Sequence, residues 1–551
     1  MVGKRLTGYV LWTLGWALMA CGGPQGPVAA TPGEGAPDAL PAEVSPSELG
    51  EQVFRFAIAA RPRTMDPALV RDSMSAQVVV NAFEGLLVRD GAGQRLRLGM
   101  AADYRISEDQ RVYRFVLRDD ARWSDGVALT AQDFVHAWKR VLYPSTASEY
   151  AWLLTEAAQV KGAHAFNTGR SGGEDLGIRA IDAKTLEIEL VEPVPYFLEL
   201  LAFPTLMPIP SHRDIAGEPW CQSDAWVSNG AYVVSAASSP NRYVLVANPY
   251  HWSHETLQVE QLELHVIESD VERVAAFERG EIDWTGPQPL PLQQVHRMAE
   301  RPEFRQEPYL GVEYLLLNTR SGPLADQRVR QALMMVLDRD EVLMRALSGV
   351  GQAAYGFVPP LTGYSTSVRA QRDVVAAKGL LSEAGYGEGT SFPTLTYLYP
   401  ASNSNAERVA EVVVNQWQSQ LGIRVGKEAV PLGELSDRIH RGDFAIARAA
   451  WAADFLDPVS FLGIWTSDSP NNSTGWKDLG YDGLLSQARS AGDRAQRFAI
   501  YAQAEALLSE HVPVIPLFYG AQTFLLANHV RGFVANRMNL HVLRELALIG
   551  R

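Results

Sequence analysis

From about residue 50 the apolar residues switch repeatedly between a period of two and a period near 3.6, and this alternation constrains the fold more than any other feature. Residues 112–117 and 185–190 alternate polar and apolar side chains, as half-buried strands do. Thr130-Ala131-Gln132-Asp133 has the make-up of a helix-opening capping box, and Phe134, Val135, Trp138 and Val141 behind it share one helical face. Residues 406–421 place Val409, Val413 and Trp417 in helical register. Gly422 stops that helix, and Ile423-Arg424-Val425 then reads as a strand. Residues 494–510 repeat the scheme, with Pro513 as the breaker and 514–519 as the strand. Helix–breaker–strand units of this kind predict an α/β protein with several mixed sheets. The 551 residues make two to four structural units at roughly 150 residues per domain, and no internal repeat divides them.

Residues 1–20 read as an address rather than as part of that fold. Lys4 and Arg5 supply a positive n-region, and the apolar run from Tyr9 to Ala20 is too short to span a bilayer. Leu18-Met19-Ala20-Cys21 resembles the bacterial lipobox, in which cleavage precedes a cysteine whose thiol is acylated; an ordinary secretory signal with an incidental Cys21 is the alternative. Residues 21–48, mostly Gly, Pro, Ala, Ser and Glu after the cysteine, hold too little apolar surface to offset the entropy of ordering and read as a disordered tether. No later stretch approaches the length of a transmembrane helix, so the expectation is an exported protein anchored to a membrane through Cys21. Cys221 then has no intramolecular partner and is expected as a buried thiol. A formal net charge of −14 argues against a nucleic-acid partner, because no cationic excess meets phosphate.

Catalytic signatures are scarce. There is no Gly-Lys-Ser/Thr phosphate loop, no Gly-x-Ser-x-Gly elbow and no His-Glu-x-x-His. Asp90-Gly91-Ala92-Gly93 lacks the third glycine of a dinucleotide loop and reads as a β-turn. His251 and His254 have metal-pair spacing, but Asn248-Pro249-Tyr250 and Trp252 suggest an exposed turn instead. No cofactor or metal is expected. The densest chemistry lies in Arg448-Ala449-Ala450-Trp451-Ala452-Ala453-Asp454-Phe455-Leu456-Asp457-Pro458. In a strand, Ala449 and Trp451 would share one face, with Arg448 and Ala450 on the other. The small residues would let a second extended backbone approach, and the cation and carboxylates could hold the two ends of a zwitterionic chain. A buried strand with an internal Arg–Asp ion pair accounts for the same residues.

Taken in order, Met65-Asp66-Pro67, Phe83-Glu84-Gly85-Leu86-Leu87, Trp123-Ser124-Asp125-Gly126, Glu192-Pro193-Val194-Pro195-Tyr196-Phe197, Ser228-Asn229-Gly230-Ala231-Tyr232, Gly280-Glu281-Ile282-Asp283, Arg328-Val329-Arg330-Gln331-Ala332-Leu333 and the Arg448–Pro458 run resemble an extracellular solute-binding protein of the peptide/nickel class, most nearly the oligopeptide-binding protein of an ABC importer. The resemblance implies a two-lobed, hinge-closing periplasmic-binding fold with an extra insert domain. Lobe one would comprise residues 49–83, 210–309 and 520–551, the insert 84–209, and lobe two 310–519. It implies a monomer that binds an extended peptide by backbone pairing and passes it to a permease and ATPase. Carried over position by position, Asp454 resembles the carboxylate that meets the peptide α-ammonium, and Arg448 a cation that meets the C-terminal carboxylate. Ala450 and Ala452 would offer backbone groups, Trp451 would wall a side-chain pocket, and Tyr150, Tyr309, Tyr519 and Ser73 would line the cleft.

Departures from the family pattern are specific. Relatives often carry a disulfide whose two positions are here Gly311 and Ala452, so that bridge is missing. Two carboxylates that line a side-chain pocket in relatives are here Arg71 and Leu316, which implies less welcome for basic peptides. Other solutes of the same fold (a dipeptide, a murein peptide, a nickel chelate or an oligosaccharide) remain open, as does an exported hydrolase using a carboxylate pair.

Overall fold

A computed structural model describes residues 52–214, 226–369, 372–387, 391–401 and 404–550. The signal, Cys21, the tether and Cys221 lie outside the described residues. The chain divides into two compact units: residues 291–296 and 308–521 form one, and the described residues up to 290, with 297–307 and 522 onward, form the other.

In the N-terminal unit the Val53–Ile58 strand runs parallel to Gln261–Val266, which pairs antiparallel with Arg242–Ala247 and through it with Tyr232–Val234. Phe54 and Phe56 are fully buried and pack on Trp284, with ring centroids 6.5 and 5.2 Å away. A second, antiparallel sheet takes the order Ala101–Ile106, Val112–Leu117, Thr185–Glu189, Ile178–Ala180. Both period-two segments are strands in it, and Tyr113, Phe115 and Leu117 are buried while Arg114 and Val116 face solvent. The Ala131–Leu142 helix packs on this sheet and opens with the expected capping box, Thr130 N–H donating to Asp133 Oδ2 at 2.8 Å. Asp90–Gly93 is a turn: Gly93 N–H reaches the Asp90 carbonyl at 2.8 Å, and Gly93 sits at φ +68°, where a side chain would be strained.

One expectation fails here. His251 does lie in a turn, its N–H reaching the Asn248 carbonyl at 3.1 Å, but its side chain is buried, 4% exposed, and not at the surface. Glu84 draws it in: the buried carboxylate gathers His251 Nε2 at 3.3 Å, Trp252 Nε1 at 2.8 Å and the Arg544 guanidinium, so donors from distant segments converge on one anion. Among the described residues no cluster of His, Cys, Asp and Glu is arranged to hold a metal.

The second unit is built on a six-stranded sheet in the order Gln352–Ala353, Val514–Leu525, Phe304–Leu317, Ile446–Ala452, Leu395–Pro400, Val425–Val430. The Ile446–Ala452 strand pairs antiparallel with Phe304–Leu317 and parallel with Leu395–Pro400, which pairs parallel with Val425–Val430, so the mixed-sheet expectation holds. The Ser404–Leu421 helix buries Trp417, whose indole donates to the Leu333 carbonyl at 2.8 Å, and Gly422 at φ +72° ends it. The following strand starts at Val425, two residues later than the pattern implied, and the strand after Pro513 runs on to Leu525. The Arg494–His511 helix closes on Val512, a β-branched residue held at φ +49°. Arg330 compensates for that awkward turn. Its guanidinium, 4% exposed, donates to the carbonyls of His511, Val512, Leu324 and Ala325. Arg330→Met should therefore lower Tm by several degrees, on the order of 2–4 kcal/mol, because buried carbonyls lose their donor. Arg328→Met, at an exposed ion pair with Asp326, should cost under about 1 kcal/mol. Thermal unfolding of the two variants side by side checks the contrast.

Candidate functional site

The chemistry-bearing run forms the Ile446–Ala452 strand, which pairs antiparallel with Phe304–Leu317 in a register that puts Ala450 opposite Glu313, Arg448 opposite Leu315 and Trp451 opposite Val312. Alternation then fixes the faces. Arg448, Ala450 and Ala452 share one face with Gly311, Glu313 and Leu315. Trp451 lies on the other face, its indole donating to the Ser460 carbonyl at 2.7 Å. Gly311 and Ala452 are direct partners, so the two positions at which relatives carry a cystine meet across the strands here as well. A side chain at 311 would collide with the Tyr309 ring, 2.4 Å from a placed Cβ; the glycine gives that ring its seat.

The ladder continues one residue beyond the strand, Ala453 N–H donating to the Leu310 carbonyl at 2.9 Å. It then breaks at Asp454, whose N–H turns to Ser460 Oγ at 3.0 Å. The three charged groups of the run have different fates. Asp457 is 1% exposed and paired with Arg497 at 2.9 Å, and its other oxygen accepts from Val459 N–H. Arg448, also buried, is paired with Glu313, Nη2 to Oε2 at 3.0 Å. The internal pair weighed from sequence therefore exists, but with Glu313 and not an aspartate of the run. Asp454 is left. No described residue offers its carboxylate a cation or a hydrogen bond, and burial pushes its pKa up to about 7. Beside it, the Tyr309 phenol is raised above its ordinary value by burial first and by the Asp454 charge second.

Tyr519 is in the same unit, 8% exposed, with its hydroxyl donating to the Gly356 carbonyl at 2.8 Å. Leu316 is buried, 3% exposed, on the face opposite Arg448. Ser73, Arg71 and Tyr150 belong to the other unit. Ser73 opens the Ser73–Ala82 helix behind its cap Asp72. Arg71 is paired with Glu149, which adjoins Tyr150, whose ring packs on Phe203 with centroids 4.7 Å apart. The Arg71 charge is thus met within the protein, which weakens the argument that it repels basic peptides. Sequence reasoning missed Glu313. The residue lies two positions after Gly311 in a strand-like run, but only the register with 446–452 reveals its partner.

Asp454 makes a prediction about stability. In the unfolded chain it loses its proton near pH 3.8, in the folded chain near 7. The folded state therefore binds more protons between those values, and this group's contribution, full below about pH 4, is lost as pH rises to 7. Relative to ligand-free wild type, Asp454→Asn should gain Tm progressively from pH 5 to pH 8. A constant difference in Tm would show that the carboxylate is not raised.

The profile described as bacterial extracellular solute-binding proteins, family 5 middle, matches residues 95–473. The oligopeptide-binding protein OppA of Bacillus subtilis (strain 168) is 30% identical over 498 residues, covering 88% of this chain and 90% of that protein. The probable deoxycholate-binding periplasmic protein YgiS of Escherichia coli (strain K12) is 34% identical over 494 residues, covering 88% and 91%. The unliganded open form of the murein tripeptide-binding protein MppA superposes with a TM-score of 0.82 at 30% identity, covering 91% of this chain and 98% of that one.

Proposed function

Because the chain belongs to the bacterial extracellular solute-binding proteins of family 5, we propose that it is the substrate-binding lipoprotein of an ABC importer, capturing oligopeptides and delivering them to a membrane permease and ATPase. The observation that carries this reading is Asp454. A half-buried carboxylate with no cation among the described residues, just beyond a strand rich in alanines, is a receptor for an ammonium group on an extended chain. An ammonium brought to it restores the charged form that burial disfavours. Ala450 and Ala452 leave the backbone open to pairing, which every peptide can satisfy whatever its side chains. Trp451, Tyr309 and Tyr519 are assigned to the walls of the site in their own unit. Asp454 also weighs against a deoxycholate-type ligand, whose own carboxylate would meet an uncompensated anion.

Cys21 is assigned as the lipid anchor. No described helix is long and apolar enough to cross a membrane, so attachment in this reading rests on acylation. Cys21→Ser should move the protein from the membrane fraction to the soluble fraction; unchanged partitioning would remove the anchor.

The primary test is mass spectrometry of what co-purifies with residues 22–551, before and after denaturing extraction. Intact peptides over a limited length range are expected; cleaved products would favour a hydrolase, and one defined non-peptide solute would overturn the ligand class. On refolded ligand-free protein, Asp454→Ala should abolish binding of free-amine peptides, and N-acetylation of the peptide should weaken wild-type binding on the order of 30-fold or more. Affinity should rise from pH 5 to pH 7 as Asp454 ionises. Equal binding of acetylated and free peptides in calorimetry would sink the assignment.

A further inference from the structure

We infer that Glu313 is a specificity-determining residue: it withdraws Arg448 from ligand carboxylates, so that this face selects a ligand by its free amine and receives an uncharged amide, not a chain-end carboxylate, at Arg448. The inference rests on the peptide reading above. Its geometry is local to one face of one sheet. Glu313 and Arg448 are diagonal neighbours on adjacent strands, and Ala450 directly opposite Glu313 is small enough to let the two long side chains meet. Arg448 Nε donates to Glu313 Oε2 at 3.0 Å, and Nη2 lies 3.0 Å from the same oxygen. The side chains are 4% and 12% exposed, so solvent screens the pair little. A ligand carboxylate seeking Arg448 would have to displace Glu313 and leave a second anion without a partner in the same enclosed place, the costly way to break a buried pair.

Neutralising the charge does not exhaust the donors. Arg448 Nη1 is buried and has no hydrogen-bond partner, and the buried Tyr397 hydroxyl on the neighbouring Leu395–Pro400 strand has none either. Tyr397 shares the Arg448 face, because it is in register with Ile446. An N–H with no partner inside an already neutral pair is suited to a peptide carbonyl, which brings no charge. The charge count agrees. Glu313, Arg448 and ionised Asp454 sum to one negative charge, and a single ammonium brings the sum to zero. A carboxylate added with the ammonium would return the surplus. The ligands that fit are peptides with a free N-terminus whose chain continues past Arg448 or ends in an amide.

The test is calorimetry of refolded ligand-free protein with trialanine as the free acid and as the C-terminal amide. Wild type should bind both within about threefold. Glu313→Gln, which keeps a hydrogen-bonding side chain but frees the guanidinium charge, should favour the acid over the amide by roughly tenfold or more. Glu313→Gln/Arg448→Met should lose that gain. Tenfold preference for the acid in wild type, or an unchanged ratio in Glu313→Gln, overturns the inference. If neither peptide binds wild type, the peptide reading fails on its own, and the inference is decided by small ions. Acetate at matched ionic strength should then raise the Tm of Glu313→Gln and leave wild type unmoved, and stabilisation of wild type by acetate would overturn it.

Discussion

The antiparallel register between Phe304–Leu317 and Ile446–Ala452 is the constraint on which the candidate site depends. Side chains in a strand alternate with a period of two, so a slip of one residue would send Arg448 to the Trp451 face and bring Ala449 in its place. The register is held by what lies on the two faces. Val312, Tyr314 and Leu316 are buried on one, Leu315 and Leu317 on the other, and exchanging the sets would carry Glu313 into the face of Val312, Tyr314 and Leu316 and unmatch the packing on both. Gly311 and Ala452 pair near the end of that ladder, and glycine at 311 seats the Tyr309 ring.

Electrostatics in this unit is organised by exclusion. Buried charges are tolerated when each has a partner, and the unit supplies them: Arg497 for Asp457, Glu313 for Arg448, main-chain carbonyls for Arg330. Asp454 is the exception, and the exception has a physical cost, since the folded state holds its carboxyl near pKa 7. A group that destabilises the free protein and is relieved by a cation stores part of the binding free energy in the empty site. In the proposed reading, that arrangement would make affinity depend on the ligand's amine more than on its side chains. It would also couple binding to release of a proton from Asp454 over the range in which the free carboxyl titrates.

Local pattern carried much of this architecture. Alternation in 112–117, the Thr130–Asp133 cap and the Gly422 stop each rest on a few adjacent residues, and each is found where the pattern put it. Long-range pairing was not legible. His251 reads as a turn residue because nothing near it reveals Glu84, 167 positions away, as its partner. Glu313 is 135 positions from Arg448, and within 308–317 of its own strand it is the one charged residue. The run around Arg448 announced its importance by composition, but composition could not say which of its charges was already spoken for. Only the fold separates a structural Asp457 from an open Asp454, by bringing Arg497, 40 positions away, to Asp457.

That distinction bears on how a common scaffold changes its ligand. Relatives at similar identity and coverage carry names that refer to oligopeptides in one case and to deoxycholate in another. Overall similarity therefore follows the scaffold, whereas the solute is set by a handful of side chains on it. A pocket lined with side chains can be altered by many substitutions with small effects each. Charge compensation is different, because one residue decides whether a buried guanidinium meets the ligand or meets the protein. Glu313 occupies such a position in the inference drawn above, where it sets what Arg448 accepts while the turn at Asp454 is held separately by Ser460. A lineage could move between receptors for free-acid and for continuing or capped chains by a single exchange there, with the sheet, the lone carboxylate and the open backbone all retained.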